Sequence, residues 1–190
     1  NGTMAIYPAS LNSIILDLTQ VEAATGQRWI LSAMQQHGAA LVTMLWRILG
    51  NEQDVCDVYQ ETFLRLAHRE NRKKPANVRA YLFRTASNTA ITLLRREQLS
   101  RQYQRQLQAK YNPDSYDPAG HLDTQHLQQQ LRDAIAKLPD YLGNVVLLRD
   151  LGEMPYHQVA KILGIKPAAA RVYRHKALKM LAMWMSENEE

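Results

Sequence analysis

Apolar residues recur every three to four positions along most of the chain, and polar or charged residues fill the positions between them. This spacing is typical of amphipathic helices. Three helices are predicted in the first half, over residues 28–49, 51–69 and 79–97. Gly50 follows the first of them where a C-terminal cap belongs. Asn51 and Asn77 are the expected N-terminal caps of the next two, because an Asn side chain accepts a hydrogen bond from a free helical N–H.

The third helix has two faces of different chemistry. Its predicted buried stripe is apolar: Leu82, Phe83, Ala86, Ala90, Leu93 and Leu94. Its opposite face carries Arg84, Asn88, Thr92, Arg95 and Arg96. These side chains donate hydrogen bonds, and three of them are cations that neutralise phosphates. Pattern alone leaves two interpretations open, a nucleic-acid surface or an ordinary solvated helix face.

The second helix has an acidic outer face that includes Asp57 and Glu61, with Gln60 between them. Acidic residues in the first turns of a helix favour the helix dipole, and that is one sufficient explanation for them. The other is a docking surface for a protein partner.

Breaks in these patterns divide the chain. Residues 1–27 form a weakly patterned, variable N-terminal segment, and residues 28–97 form a first helical domain. Residues 98–130 are rich in Gln and Tyr, include two prolines, and are interpreted as a linker that is partly helical at each end. Residues 131–186 form a second helical domain. The predicted fold class is all-α, with two small helical domains joined by a flexible linker.

The second domain has the spacing of a helix-turn-helix. Ala160 is small where two helices approach closely, and Gly164 stands four residues later where the turn requires a positive φ. The following helix is basic, which suits insertion into a major groove. Its candidate DNA contacts are Lys166, Arg171, Arg174, His175 and Lys176. A helical hairpin with a basic surface is the alternative; the coincidence of these features favours DNA binding.

Composition narrows the function. The 190 residues carry a net charge of +5, which fits a polyanionic partner. With no apolar run long enough to span a bilayer and no visible leader, we expect a cytoplasmic protein without membrane insertion. Cys56 is the only cysteine, so neither a disulfide nor a thiolate zinc site is expected. No catalytic constellation is visible, and we expect no enzyme activity, no metal and no cofactor.

Taken together, the chain resembles the extracytoplasmic-function class of bacterial sigma factors, the promoter-recognition subunits of RNA polymerase. The segment DVYQETFLRL, residues 57–66, is similar to the polymerase-binding helix of that family, with matches at Asp57, Gln60, Glu61 and Phe63. The segment YLFRTASNTAITLLRR, residues 81–96, is similar to its promoter-melting helix. The run from residue 135 into the basic helix is similar to its upstream-element reader.

The resemblance implies three contacts. The clamp of the largest subunit of core RNA polymerase is bound through Asp57, Gln60 and Glu61. The opened minus-ten strand is held by Arg84, Asn88, Thr92, Arg95 and Arg96, with the loop of residues 72–77 near an extruded base. The duplex minus-thirty-five element is read by Lys166, Arg171, Arg174, His175 and Lys176. The resemblance also implies an anti-sigma partner, which in this family is often membrane-anchored.

The chain departs from the family pattern in the reading helix. Family members usually have a hydroxyl residue and a valine where Ala169 and Ala170 stand, a serine or similar residue at Val172, and a leucine at Arg174. Fewer hydrogen-bonding side chains are therefore available than usual. The alternative function is a stand-alone helix-turn-helix regulator, which would be dimeric on a palindromic site. No obvious dimer seam is visible, and the sequence disfavours that alternative.

Overall fold

The computed structural model describes residues 29–68, 74–111 and 124–186, and every element in those ranges is helical. In chain order the helices are α1 (Trp29–Leu49), α2 (Glu52–Ala67), α3 (Val78–Tyr111), α4 (Thr124–Lys137), α5 (Asp140–Val146), α6 (Tyr156–Leu163) and α7 (Pro167–Ser186). A π-helical turn, Leu147–Leu151, continues α5. The prediction of an all-α fold with two helical domains is confirmed. None of the described helices combines the length and apolar character needed to cross a membrane.

The predicted caps set the ends of the first three helices. Gly50 has φ of +75°, a value that glycine adopts without steric cost. The side-chain oxygen of Asn51 accepts a hydrogen bond from the Asp54 N–H at 2.9 Å, and Asn77 accepts one from Ala80 N–H at the same distance. Each bond satisfies a backbone donor that the first turn of a helix leaves without a partner. All three predictions of caps are confirmed.

The first domain, α1 to α3, is held together by the stripe that the sequence pattern predicted. Leu82, Phe83, Ala86 and Ala90 of α3 are buried, and they pack in one apolar core with residues of α1 and α2 such as Leu45. Full burial of a Leu or Phe side chain stabilises a fold by about 1.5–3 kcal/mol. This core holds the polar faces of α2 and α3 outward.

The third helix is longer than predicted. Residue 97 was expected to end it, but α3 continues to Tyr111. No Gly or Pro interrupts residues 98–111, and Gln, Arg and Leu are good helix formers, so nothing stops the helix there. The described residues thus include both ends of the stretch interpreted as a linker. The predictions for residues 1–27, and for residues 72 and 73 of the loop proposed near an extruded base, fall outside the described residues.

The second domain, α4 to α7, contains the predicted helix-turn-helix. Gly164 has φ of +71°, and the N–H of Ile165 bonds to the carbonyl of Ala160 at 3.0 Å. Ala160 and Ala170 are buried between α6 and α7, where their small side chains allow close approach. Gly164 therefore forms the turn between α6 and α7 that the spacing predicts.

Candidate functional site

A groove of about 350 Å³ runs between α2 and α3 and brings together residues that the sequence assigned to two different roles. Its walls include Asp57, Gln60 and Glu61 of α2, and Thr92 and Arg96 of α3. Asp57 and Arg96 are exposed, whereas Gln60 and Glu61 are partly buried. The groove floor is apolar, with contributions from Val58, Leu64 and Leu93.

The two walls of this groove carry opposite charges, carboxylates on α2 and a guanidinium on α3. Glu61 accepts a hydrogen bond from Arg65 Nε at 2.6 Å, which orients its carboxylate along α2. Arg96 lies on the facing wall. An apolar floor with carboxylates on one wall and a guanidinium on the other suits a protein helix that carries basic and apolar side chains.

The remaining polar residues of α3 face the second domain. Arg95 makes three contacts there: its Nε donates to the Ala136 carbonyl at 2.9 Å, and its guanidinium also reaches the Leu138 carbonyl at 2.8 Å and Asp140 at 2.7 Å. These bonds cap the end of α4 and the turn into α5. Arg95, which the sequence assigned to minus-ten DNA, therefore holds the two domains together in this structure.

A buried polar cluster lies beside Arg95. The Asn144 side chain donates to Asn88 Oδ1 at 2.8 Å, and its own Oδ1 lies 2.5 Å from the hydroxyl of Ser87, which donates to it. Ser87 and Asn144 are both buried, so water does not compete for the hydrogen bond between them. Sequence reasoning missed Asn144. A polar residue inside the apolar run of residues 142–148 was the available signal.

Further contacts between the domains surround this cluster. Arg79 donates to Gln158 at 2.9 Å, and Arg47 pairs with Glu153 at 2.9 Å. Arg132 Nε donates to the Ile48 carbonyl at 3.0 Å, directly beside the α1–α2 turn. The two domains thus contact each other directly, and the exposed residues Arg84 and Asn88 line a cavity of about 250 Å³ beside these contacts.

The basic residues of the second domain differ in their surroundings. Arg174 forms a two-pronged ion pair with Asp150, with distances of 2.7 to 3.0 Å. The hydrogen bonds to Asp150 raise the pKa of Arg174. The same bonds hold its guanidinium against the second domain. The guanidinium of Arg171 lies 5.1 Å from the centre of the Tyr156 ring. Lys166, His175 and Lys176 are exposed.

Two family models match the chain in the order of these domains. The model of Sigma-70 region 2 matches residues 33–100, and the model of Sigma-70, region 4 matches residues 128–181. A relative from Mycolicibacterium smegmatis, the ECF RNA polymerase sigma factor SigE, is 24% identical over 180 residues, which cover 90% of this chain and 68% of the relative. The chain belongs to the extracytoplasmic-function sigma factors.

Two further sigma factors and one solved structure are similar to this chain. The sigma factor CarQ of Myxococcus xanthus is 28% identical over 160 residues, covering 81% of this chain and 87% of CarQ. YlaC of Bacillus subtilis is 24% identical over 158 residues, covering 82% of this chain and 91% of YlaC. Among solved structures, the sigma factor RpoE of Bartonella quintana in complex with the anti-sigma factor NepR matches with a TM-score of 0.44 and 17% identity, covering 80% of this chain and 94% of RpoE.

Family membership establishes the general function. A sigma factor of this class binds core RNA polymerase and directs it to specific promoters for transcription initiation. The stand-alone regulator receives no support from these comparisons.

Proposed function

We propose a division of labour among three helices of this sigma factor. Helix α2 binds core polymerase through Asp57, Gln60 and Glu61. Helix α3 holds the opened minus-ten strand and assists promoter opening through Arg84, Asn88, Thr92, Arg95 and Arg96. Helix α7 and the turn before it bind the duplex minus-thirty-five element through Lys166, Arg171, Arg174, His175 and Lys176.

The observation that carries this proposal is the shared groove between α2 and α3. Asp57 and Glu61 lie on one wall of this groove, and Thr92 and Arg96 lie on the other. The volume of the groove is about 350 Å³. A polymerase element seated against α2 is therefore next to the residues proposed to hold the opened strand. Single-stranded DNA needs cations for its phosphates and polar groups for its exposed bases, and Thr92 and Arg96 of α3 supply both at this groove.

The second domain supports the duplex contact. Lys166 and the exposed residues of α7 follow the Gly164 turn, and a helix-turn-helix places the first residues of its second helix against base edges. Two DNA contacts on one chain act bivalently, so modest affinity at each element is enough for selective binding.

Several further properties are proposed from the family resemblance. The chain supplies no catalysis of its own and acts in the cytoplasm, where it meets core polymerase. An anti-sigma factor is expected to inactivate it by covering the carboxylate wall of α2. That wall is the surface which polymerase needs, so the two partners exclude each other.

The polymerase contact is tested by a pull-down with core enzyme. Asp57→Ala combined with Glu61→Ala removes two carboxylates from the groove and is expected to weaken binding while the melting temperature stays near that of the wild type. Lys161→Ala combined with Lys179→Ala is the control, because both charged side chains are exposed and lie in the second domain, outside the groove. Equal affinity of wild type and the α2 variant for core enzyme would contradict the proposed docking surface.

A further inference from the structure

The outermost stripe of α7 begins with apolar side chains. Ala168, Val172 and His175 are exposed and follow one another at intervals of four and three residues, so they share one face of the helix. Val172 leaves 64% of its surface in contact with solvent. A β-branched residue has no advantage for helix formation at such a position, because it loses side-chain freedom and gains no packing.

The strongest donors of α7 are turned away from this stripe. Both prongs of the Arg174 guanidinium contact Asp150 inside the domain. Arg171 stacks over the Tyr156 ring of α6. The two arginines that would otherwise read guanine bidentately therefore flank the exposed stripe rather than lie on it. Its first two turns present methyl groups.

The major groove contains one apolar feature that such a surface recognises. Thymine carries a C5-methyl group at the groove edge, and apolar side chains distinguish it from the other bases by contact. Val172 has one strongly preferred rotamer in a helix, so its two methyl groups are held in place before binding. Contact with DNA would then cost little additional side-chain entropy.

We propose that Val172, with Ala168 one turn before it, is a specificity-determining residue that reads a thymine C5-methyl group in the minus-thirty-five element. This inference rests on the proposed role of α7 as the duplex reader. It predicts an A·T pair beneath the second turn of α7, recognised through the methyl group rather than through hydrogen bonds.

The test is substitution of uracil for thymine, since the two bases differ only in that methyl group. Reconstituted holoenzyme first enriches its promoter from a duplex library with a randomised upstream element. Affinity is then measured for that promoter with each thymine of the element replaced singly by uracil. At the contacted position we expect binding about fourfold weaker, the effect of one methyl-sized group leaving an apolar contact.

Variants of the helix assign the effect to Val172. Val172→Ala removes both methyl groups and is expected to bind thymine and uracil promoters with nearly equal affinity, and Val172→Thr, which keeps one methyl, should be intermediate. Leu178→Ala is the matched control, because Leu178 is an exposed apolar residue of α7 outside the stripe. Circular dichroism should show all three variants as helical as the wild type, because these side chains are exposed.

Two results would overturn the inference while leaving the proposed function standing: equal wild-type affinity for thymine and uracil at every position, or full discrimination by Val172→Ala. Failure of wild-type holoenzyme to enrich any promoter would contradict the proposed function itself, and the inference with it.

Discussion

Arg95 and Arg96 are neighbours in sequence, but their guanidinium groups lie in different surroundings. Arg95 reaches across to the Ala136 and Leu138 carbonyls and to Asp140. Arg96 is exposed and lines the groove with α2. The sequence pattern placed both residues on one polar face of the helix. In the structure, Arg95 is directed at the second domain and Arg96 is directed at solvent.

This difference predicts different outcomes for two single substitutions. Arg95→Ala removes the guanidinium that donates hydrogen bonds to two carbonyls at the end of α4. This loss is expected to lower the free energy of unfolding by about 1–3 kcal/mol. Arg96→Ala should change that free energy by less than about 0.5 kcal/mol. It should nevertheless reduce open-complex formation more than holoenzyme assembly. Urea unfolding and a promoter-melting assay check both points; equal destabilisation by the two variants would contradict the assignment of Arg95.

Glu97 lies beside Asp54 at the edge of the first domain, and burial followed by the charge and hydrogen bond of Asp54 raises the pKa of Glu97. Arg101 opposes this shift without reversing it. Because the pKa of Glu97 is raised in the folded state, the protonated carboxyl is the form that the fold favours. Its contribution to stability is fully present below the unfolded-state pKa of 4.5 and is lost as pH rises through the folded-state pKa. At neutral pH the ionised Glu97 therefore destabilises the fold.

Glu97→Gln is accordingly expected to stabilise the protein at pH 7, by roughly a few tenths of a kcal/mol because solvent screens the pair. The gain should shrink as pH falls and vanish once Glu97 is protonated in both states. Thermal unfolding of the two proteins between pH 4 and 7.5 measures this. A loss of stability at pH 7 would show that the Arg101 contact dominates instead, and a gain that is independent of pH would show that the charge of Glu97 does not cause it.

At the scale of single elements, the turn between α6 and α7 depends on Gly164. A Cβ at this position would meet nothing within 4 Å, so space is no obstacle. The φ of +71° is the obstacle, since side-chain-bearing residues adopt it only with strain.

Gly164→Val is therefore expected to lower the free energy of unfolding by about 1–2 kcal/mol or more. Gly164→Asn should cost less, because Asn tolerates the left-handed region. Urea unfolding of both variants checks the order. A valine variant as stable as the asparagine variant would mean that the turn does not require the left-handed conformation.

Local chemistry explains which elements the sequence could predict. Gly50, Asn51 and Asn77 mark helix ends through bonds to residues three or four positions away, and such signals are visible in sequence. The end of α3 was misplaced because residues 98–111 contain no stop signal, and a change to Gln-rich composition resembles a linker although Gln favours helix.

The interface between the domains was not predictable in the same way. Asn88 and Asn144 are 56 residues apart, and Arg95 and Ala136 are 41 apart. Periodicity identifies a polar face but does not tell which distant element covers it. Pattern and resemblance thus proposed Asn88 and Arg95 as candidate promoter residues. Their hydrogen-bond partners, Asn144 and Ala136, are visible only in the structure.

For the whole molecule, the contacts between the domains bear on the proposed minus-ten role of α3. Asn88 and Arg95 are hydrogen-bonded to the second domain, whereas Arg84 is exposed and lines the cavity beside them. If Arg95 holds minus-ten DNA as proposed, its bonds to the Ala136 and Leu138 carbonyls must first break. We therefore predict that promoter opening is accompanied by separation of the domains.

A crosslink across the interface tests this requirement. Arg79 and Gln158 contact each other from the two domains, so Arg79→Cys combined with Gln158→Cys accepts a short bismaleimide. The crosslinked protein is expected to form little or no open complex, while the same double variant without crosslinker should remain active. The single native cysteine, Cys56, is buried, so wild type treated with the reagent is the control. Full promoter opening by the crosslinked protein would contradict the requirement.

As a sigma factor, this chain is proposed to direct core RNA polymerase to promoters through two separate DNA contacts. Run-off transcription from a promoter library, with core enzyme in the presence and absence of the chain, tests this proposal. We expect discrete transcripts that depend on the chain, from promoters sharing one element near minus ten and one near minus thirty-five. The absence of any chain-dependent transcript, in a reaction where a known sigma factor activates the same core enzyme, would contradict it.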